Sequence, residues 1–168
     1  MEDRMESFRL ANKDDLFKVS NILKEIINNK PEGLNWTKDY PNEEVIKNDI
    51  EKKELFILEI NNEILGAVVL NCDEDINYKK IEWNSNKTPL VIHRLFVSRN
   101  YMGEGYGSLL LKSVIDKAKN HGFESIRLDT FSKNINAQKL YIKSGFKYKG
   151  TINLEGKVGE FFCYEMNL

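Results

Sequence analysis

Glycine recurs at every second position in Gly103, Gly105 and Gly107, between two apolar segments of different period. Leu90 to Val97, before them, is an apolar, β-branched run that reads as a buried strand. Leu109, Leu110, Leu111, Val114, Ile115 and Ala118, after them, recur at helical spacing. Glycine permits positive φ and lets a ligand approach the backbone closely. The first N–H groups of a helix have no intrahelical acceptor, and the helix dipole points at the same spot. The expected chemistry is a cradle for a phosphate or pyrophosphate. A tight strand-to-helix turn that needs glycine for geometry alone is the other reading. No Lys-Ser/Thr pair follows the last glycine, so this is not a mononucleotide P-loop. The G-x-G-x-x-G spacing of a dinucleotide fingerprint is absent, and the strand comes late in the chain.

The elements that must position this turn are legible on both sides of it. Phe8 to Ala11 reads as a first strand. Asn12 caps a helix, with Asp15 completing an imperfect capping box, and Leu16, Val19, Ile22, Leu23, Ile26 and Ile27 form its apolar stripe. Asn28 to Gly33 breaks the helix, and Leu34 to Tyr40 is irregular and aromatic. Pro41 suits the first turn of a second helix carrying Val45, Ile46 and Ile50. Asn61-Asn62 between two apolar runs predicts a hairpin. Asn71 to Pro89 is polar and reads as a long loop of the kind that often carries function. After the central strand, the helix runs to His121 and stops at Gly122. Ser125 to Thr130 is the next strand, which should cross over right-handed and parallel. A short helix from Ile135 to Lys143 and a closing hairpin around Glu155-Gly156-Lys157 complete the chain.

Composition narrows the function. A chain of 168 residues suits one domain, 1–168, with a full core. Its 25 basic and 26 acidic residues leave a net charge of −1, which does not predict a nucleic-acid binder. No basic leader with an apolar stretch opens the sequence and no run approaches a transmembrane span, so no membrane partner is expected. Cys72 and Cys163 have neither metal-ligand nor CxxC spacing, so no metal is expected. Each reads as a buried, reduced thiol of a cytoplasmic protein.

Met102-Gly103-Glu104-Gly105-Tyr106-Gly107 resembles the acetyl-CoA-binding motif Q/R-x-x-G-x-G/A of the GNAT superfamily of N-acyltransferases. Asn134 to Phe146 resembles that family's N-x-x-A-x-x-L-Y-x-x-x-G-F segment, with Asn134, Ala137, Leu140, Tyr141, Gly145 and Phe146 in place. The resemblance covers nearly the whole chain. It implies an α+β fold with a mixed, mostly antiparallel sheet of six to seven strands flanked by about four helices. It further implies that acetyl-CoA is the cosubstrate. Leu95, Phe96 and Val97 would bind the pantetheine arm through their backbone. The amides of Met102, Gly103, Glu104, Gly105, Tyr106 and Gly107, with Ser108, would hold the pyrophosphate. Asn134 would contact the CoA arm, or serve as a helix N-cap. Met102 departs from the family pattern, and weaker or differently tuned CoA binding is expected from it.

Acyl transfer from a thioester to an amine needs a neutral amine, donors for the oxyanion and a proton for the thiolate. An alkylamine with a pKa near ~10 arrives as ammonium at neutral pH, so a base is required. His93 is one of two histidines and interrupts the central strand on the face of Leu95 and Val97. Some members of the family carry a basic histidine on this strand. A core histidine held by a neighbouring strand or loop is the alternative reading, and a carboxylate acting through water is the alternative base. His121, in the last helical turn, suits the dipole instead. Tyr141 matches the tyrosine that donates to the CoA thiolate, or else packs as a core aromatic. Trp36 and Tyr40, with Trp83 in the long loop, are the candidates for holding the amine, against the reading that they pin loops to the core.

The resulting expectation is an N-acetyltransferase moving the acetyl group directly to a primary amine of a small molecule. Acetylation of a protein N-terminus or lysine, and a non-catalytic acyl-CoA sensor, are the alternatives. Monomer and homodimer both stay open.

Overall fold

The computed structural model describes residues 5–168. It has seven strands and four α-helices: β1 Glu6–Leu10, α1 Leu16–Asn28, α2 Glu43–Glu51, β2 Leu55–Ile60, β3 Glu63–Asn71, β4 Leu90–Val97, α3 Tyr106–Asn120, β5 Ser125–Phe131, α4 Ile135–Lys143, β6 Lys147–Ile152 and β7 Phe161–Asn167. The strands form one sheet in the order β1-β2-β3-β4-β5-β7-β6. The β1–β2, β2–β3, β5–β7 and β6–β7 pairs are antiparallel and β4–β5 is parallel. This is the mixed, mostly antiparallel α+β architecture expected from the sequence. The described residues group into two compact units, one of 5–31, 36–70 and 94–110, the other of 32–35, 71–93 and 111–168.

In the first unit, Asn12 caps a 3₁₀ turn at Lys13–Asp15 that runs into α1, and the capping box with Asp15 forms in both directions. Asp15 also accepts from Arg9 through both oxygens, at 2.9 and 3.0 Å. Asn61 and Asn62 take φ of 51° and 65°, the left-handed pair a two-residue hairpin requires. Val19, Leu23 and Ile26 of α1, Ile46 of α2 and most of β2 and β3 are buried. The second helix starts at Glu43, just after the proline. Pro41 lies outside it, and Asn42 is the N-cap, its Oδ1 accepting from the Val45 N–H at 3.1 Å. A side-chain acceptor satisfies a first-turn N–H, which proline geometry alone cannot do.

In the second unit the 71–89 segment is far from a bare loop. A 3₁₀ turn at Ile76–Lys80 buries Tyr78, which clusters with Val91, Ile152, Phe161 and Cys163. Arg127 anchors the rest of the segment. It donates to Glu74 and to the Ser85 carbonyl, and its guanidinium lies 4.5 Å from the Trp83 ring centroid. Glu165, fully buried, accepts from Arg127 and from the Asn84 N–H at 2.7 Å. Cys163 is buried as expected and its thiol is pushed up to about 12 by burial, with the charges of Asp129 and Asp75 adding to it. Cys72 is exposed, contrary to the buried reading, because it follows the end of β3 at the start of this segment.

Candidate active site

In the first unit β4 breaks its own regularity. Arg94 sits inside the strand with φ of 39°, a conformation β-strands do not use and non-glycine residues rarely adopt. Pairing with β5 covers only Leu90, Val91 and Ile92, so the residues that follow, Leu95 to Val97, leave that ladder. Arg94 is held in this state by α2: Nε donates to Asp49 Oδ2 at 2.9 Å and Nη2 to Oδ1 at 2.6 Å. Asp49 is almost fully buried. Burial pushes its carboxyl up, against the opposing pull of the guanidinium. Arg94 Nη1 donates to the Tyr40 hydroxyl at 3.0 Å. Trp36 meets the Phe96 ring edge-on, with centroids 6.0 Å apart. Behind β4, Gly66 of β3 lets the two strands close up, since a Cβ there would stand 2.8 Å from the Phe96 carbonyl oxygen.

Ser98 ends the strand, its N–H donating to the Leu65 carbonyl at 2.7 Å, and a 3₁₀ turn at Arg99–Tyr101 leads into the glycines. Gly103 and Gly105 have φ of 81° and 87°, and a Cβ on either would meet no atom within 4 Å. Their conformation, and not crowding by the protein, is what demands glycine. The first i→i−4 bond into α3 runs from the Leu109 N–H to the Gly105 carbonyl, so the N–H groups of Tyr106, Gly107 and Ser108 precede the helical ladder. This turn has the left-handed glycines and helix N-terminus that a pyrophosphate cradle needs. The Met102 N–H is turned back to the Arg99 carbonyl at 3.4 Å, and its side chain is exposed, as is Glu104.

The second unit holds the remaining candidates. His93 is half-buried and its Nε2 lies 2.7 Å from Asn71 Oδ1, so Nε2 carries the proton when that oxygen accepts. Tyr141 is buried beside Phe146 and Tyr164, with ring centroids at 5.9 and 6.2 Å. Burial, with the charge of Asp129 added, holds its phenol well above the ordinary range, so the hydroxyl keeps its proton. Asn134 caps α4, its Oδ1 accepting from the Ala137 N–H at 3.2 Å. Trp83 donates its indole N–H to the Tyr78 carbonyl at 2.9 Å and has Arg127 over one face. These contacts anchor Trp83 in its own unit.

The structure thus gathers Trp36, Tyr40, Leu95, Phe96, Val97 and the glycine turn in one unit, and His93, Trp83, Asn134 and Tyr141 in the other. Sequence reasoning missed Arg94 and Asp49, which stand 45 residues apart with no local signal joining them. It also missed Asp129, whose carboxylate accepts from the Tyr78 hydroxyl at 2.6 Å. A lone Asp closing an apolar strand was the one available hint. No group of residues able to hold a metal ion, and no helix long and apolar enough to cross a membrane, occurs among the described residues.

Residues 21–146 match the Acetyltransferase (GNAT) family, a span that includes the broken strand, the glycine turn and Tyr141. The chain belongs to that family. Over 67 residues it is 33% identical to the spermine/spermidine N(1)-acetyltransferase of Bacillus subtilis strain 168, covering 39% of this chain and 44% of that protein. The chain therefore spans less than half the length of the curated relatives it matches. A solved structure from Staphylococcus aureus Mu50 is 33% identical with a TM-score of 0.72, over 95% of this chain and 97% of that one. The yncA protein of Salmonella typhimurium, solved with its cofactor acetyl-CoA, superimposes with a TM-score of 0.71 over 97% of this chain and 94% of its own. At 16% identity it shares the fold alone.

Proposed function

We propose that this protein is an acetyl-CoA-dependent N-acetyltransferase whose acceptor is the primary amine of a small molecule. The observation that carries this reading is the strand–glycine turn–helix unit, with Gly103 and Gly105 left-handed and open and three helical N–H groups ahead of the ladder. Family membership and the acetyl-CoA held by the Salmonella typhimurium structure support it. The name of the Bacillus subtilis relative points to polyamines as the first amines to try.

Acetyl-CoA supplies the thioester. In the first unit, the backbone of Leu95, Phe96 and Val97 lies along the pantetheine arm. The amides from Gly103 to Ser108 take the pyrophosphate, and Trp36 and Tyr40 help to hold the amine. In the second unit, the Tyr141 hydroxyl donates to the departing thiolate. A thiol titrates near ~8.5, well below this raised phenol, so Tyr141 stabilises the thiolate through a hydrogen bond without surrendering its proton. His93, with one ring nitrogen committed to Asn71, is one candidate for the base, and a carboxylate is the other.

The test is thiol release from acetyl-CoA with a panel of spermidine, spermine, free amino acids and a peptide with a free N-terminus. Release with a small amine, and none with the peptide, is the expected result. CoA binding with no release on any amine would make the protein an acyl-CoA sensor.

A further inference from the structure

Met102 to Gly105, the four residues at the heart of the glycine turn, are all exposed. A Cβ on Gly103 or Gly105 would meet no atom within 4 Å, so neighbouring protein does not mould the turn at these positions. Met102 brings a thioether to it and no side-chain hydrogen-bond donor. Two of the four residues are glycine, which has more backbone freedom to lose than any other residue. A free segment of this composition samples many shapes, and only those with converging amides bind an anion. The shape is held from the two ends of the segment.

Tyr101 and Tyr106 flank the segment, and their rings meet edge-on, with centroids 5.7 Å apart and planes at 88°. Each ring stands on fixed backbone. Tyr101 ends a 3₁₀ turn, its N–H donating to the Ser98 carbonyl at 2.9 Å, and the Ser98 N–H donates to the Leu65 carbonyl of β3. Tyr106 is the first residue of α3. The Tyr101 hydroxyl also bonds to the carboxylate of Glu63, two residues before Leu65 on β3. The ring contact therefore closes a loop over the four exposed residues, with its Tyr101 end tied to one strand. We propose that the Tyr101–Tyr106 pair braces the glycine turn in its anion-binding shape, which makes Tyr101 a positioning residue for the pyrophosphate of acetyl-CoA. The proposal rests on the acetyl-CoA reading of the turn and names what organises it before the ligand arrives.

An edge-to-face pair between aromatic rings is worth a factor of about 3–10 in an equilibrium. When the brace is absent, CoA affinity falls by the fraction of molecules whose turn keeps the binding shape. The loss falls on CoA binding, because neither ring has a part in the transfer of the acetyl group. The Glu63 bond comes first among the causes that push the Tyr101 phenol up, so the ring stays uncharged beside an anion site. The turn between the two rings is exposed, so an effect on CoA affinity is separable from an effect on the core.

The experiment is calorimetry of CoA binding without any amine, at a temperature well below the melting midpoint of every variant. The variants are Tyr101→Leu, Tyr101→Phe, Tyr106→Leu and the Tyr101→Leu, Tyr106→Leu double variant. Tyr101→Leu and Tyr106→Leu should each weaken CoA binding about 3- to 10-fold. Tyr101→Phe keeps the ring and loses only an exposed hydroxyl bond, so it should stay within about twofold of wild type. The double variant should lose no more than the worse single variant, because one substitution already breaks the pair. Three results each overturn the brace: Tyr101→Leu that binds like wild type, Tyr101→Phe that falls as far as Tyr101→Leu, or single losses that multiply in the double variant. If Tyr101→Leu does not fold, Tyr106→Leu against Tyr106→Phe makes the same comparison from the helix end. Wild type that does not bind CoA overturns the acetyl-CoA reading itself, an outcome distinct from a wild type and brace variants that bind equally well.

Discussion

Asp49 of α2 grips Arg94 of β4 through two bonds, at 2.6 and 2.9 Å, and in doing so holds a strand residue at φ of 39°. The pair is nearly dry on the carboxylate side. Left-handed backbone in the middle of a strand persists only where its surroundings over-determine it. Here the guanidinium is the handle. Its two bonds to Asp49 tie the bend of β4 to α2.

Removing one partner strands the other. Asp49→Ala should cost about 3–5 kcal/mol in urea unfolding, the range for a broken buried pair. The Arg94→Ala, Asp49→Ala double variant should lose less than the sum of the two single variants, by about 0.5–3 kcal/mol. Strict additivity would show that the two side chains do not act as a clamp.

Gly105→Val tests the cradle. A Cβ at Gly105 meets no protein atom within 4 Å, so at φ of 87° the fold pays chiefly the backbone penalty of roughly 1–2 kcal/mol. The new side chain would nonetheless stand where a pyrophosphate approaches the amides. CoA affinity by calorimetry should fall more than about tenfold, which corresponds to the loss of at least one charge-assisted bond. Unchanged affinity would move the cradle elsewhere.

Tyr141→Phe keeps the ring contacts with Phe146 and Tyr164 and removes the hydroxyl. The kcat should drop by about 10²-fold, with the KM for acetyl-CoA near wild type. Because burial raises this phenol above its ordinary value near ~10, wild type should show no loss of rate from Tyr141 ionisation below about pH 10. A kcat that survives the substitution, with chemistry shown to be rate-limiting, would reduce Tyr141 to packing.

Acid should weaken the first unit through Asp15. The bidentate bond from Arg9 comes first among the causes that hold its carboxyl below the ordinary range, and the Asn12 N–H adds to it at 2.8 Å. Its stabilisation is therefore complete above the unfolded value near ~3.9 and disappears as pH falls through the lower folded value. Asp15→Asn should cost about 1.5–3 kcal/mol at pH 7 and less at pH 3, measured by denaturant unfolding. An equal cost at both pH values would remove Asp15 from the acid response.

Local chemistry was readable where the cause is local. Asn61-Asn62 predicts a left-handed two-residue turn, and Asn12 with Asp15 predicts a cap, because each depends on a few neighbouring backbone groups. The glycines before an apolar helix predict a tight turn for the same reason, and Gly103 and Gly105 take φ of 81° and 87°. Pro41 marked the approach to α2, and Asn42 sets its start by accepting from the Val45 N–H. The 71–89 segment looked like free loop because its polar side chains hide Tyr78, whose burial depends on β5, β6 and β7.

By itself the sequence determined the order of elements, the hairpin and cap positions, the glycine turn and the motif residues around Tyr141. Only the tertiary structure decided how charge is distributed inside the fold. Arg94 finds Asp49 at a separation of 45 residues, Tyr78 finds Asp129 at 51, and Arg127 finds Glu165 at 38. No short window of sequence contains such a pair. Which carboxylate receives an arginine and which, like Asp129, is left with a single hydroxyl donor follows from the packing of distant strands, because desolvation and ion pairing depend on the final enclosure of each group.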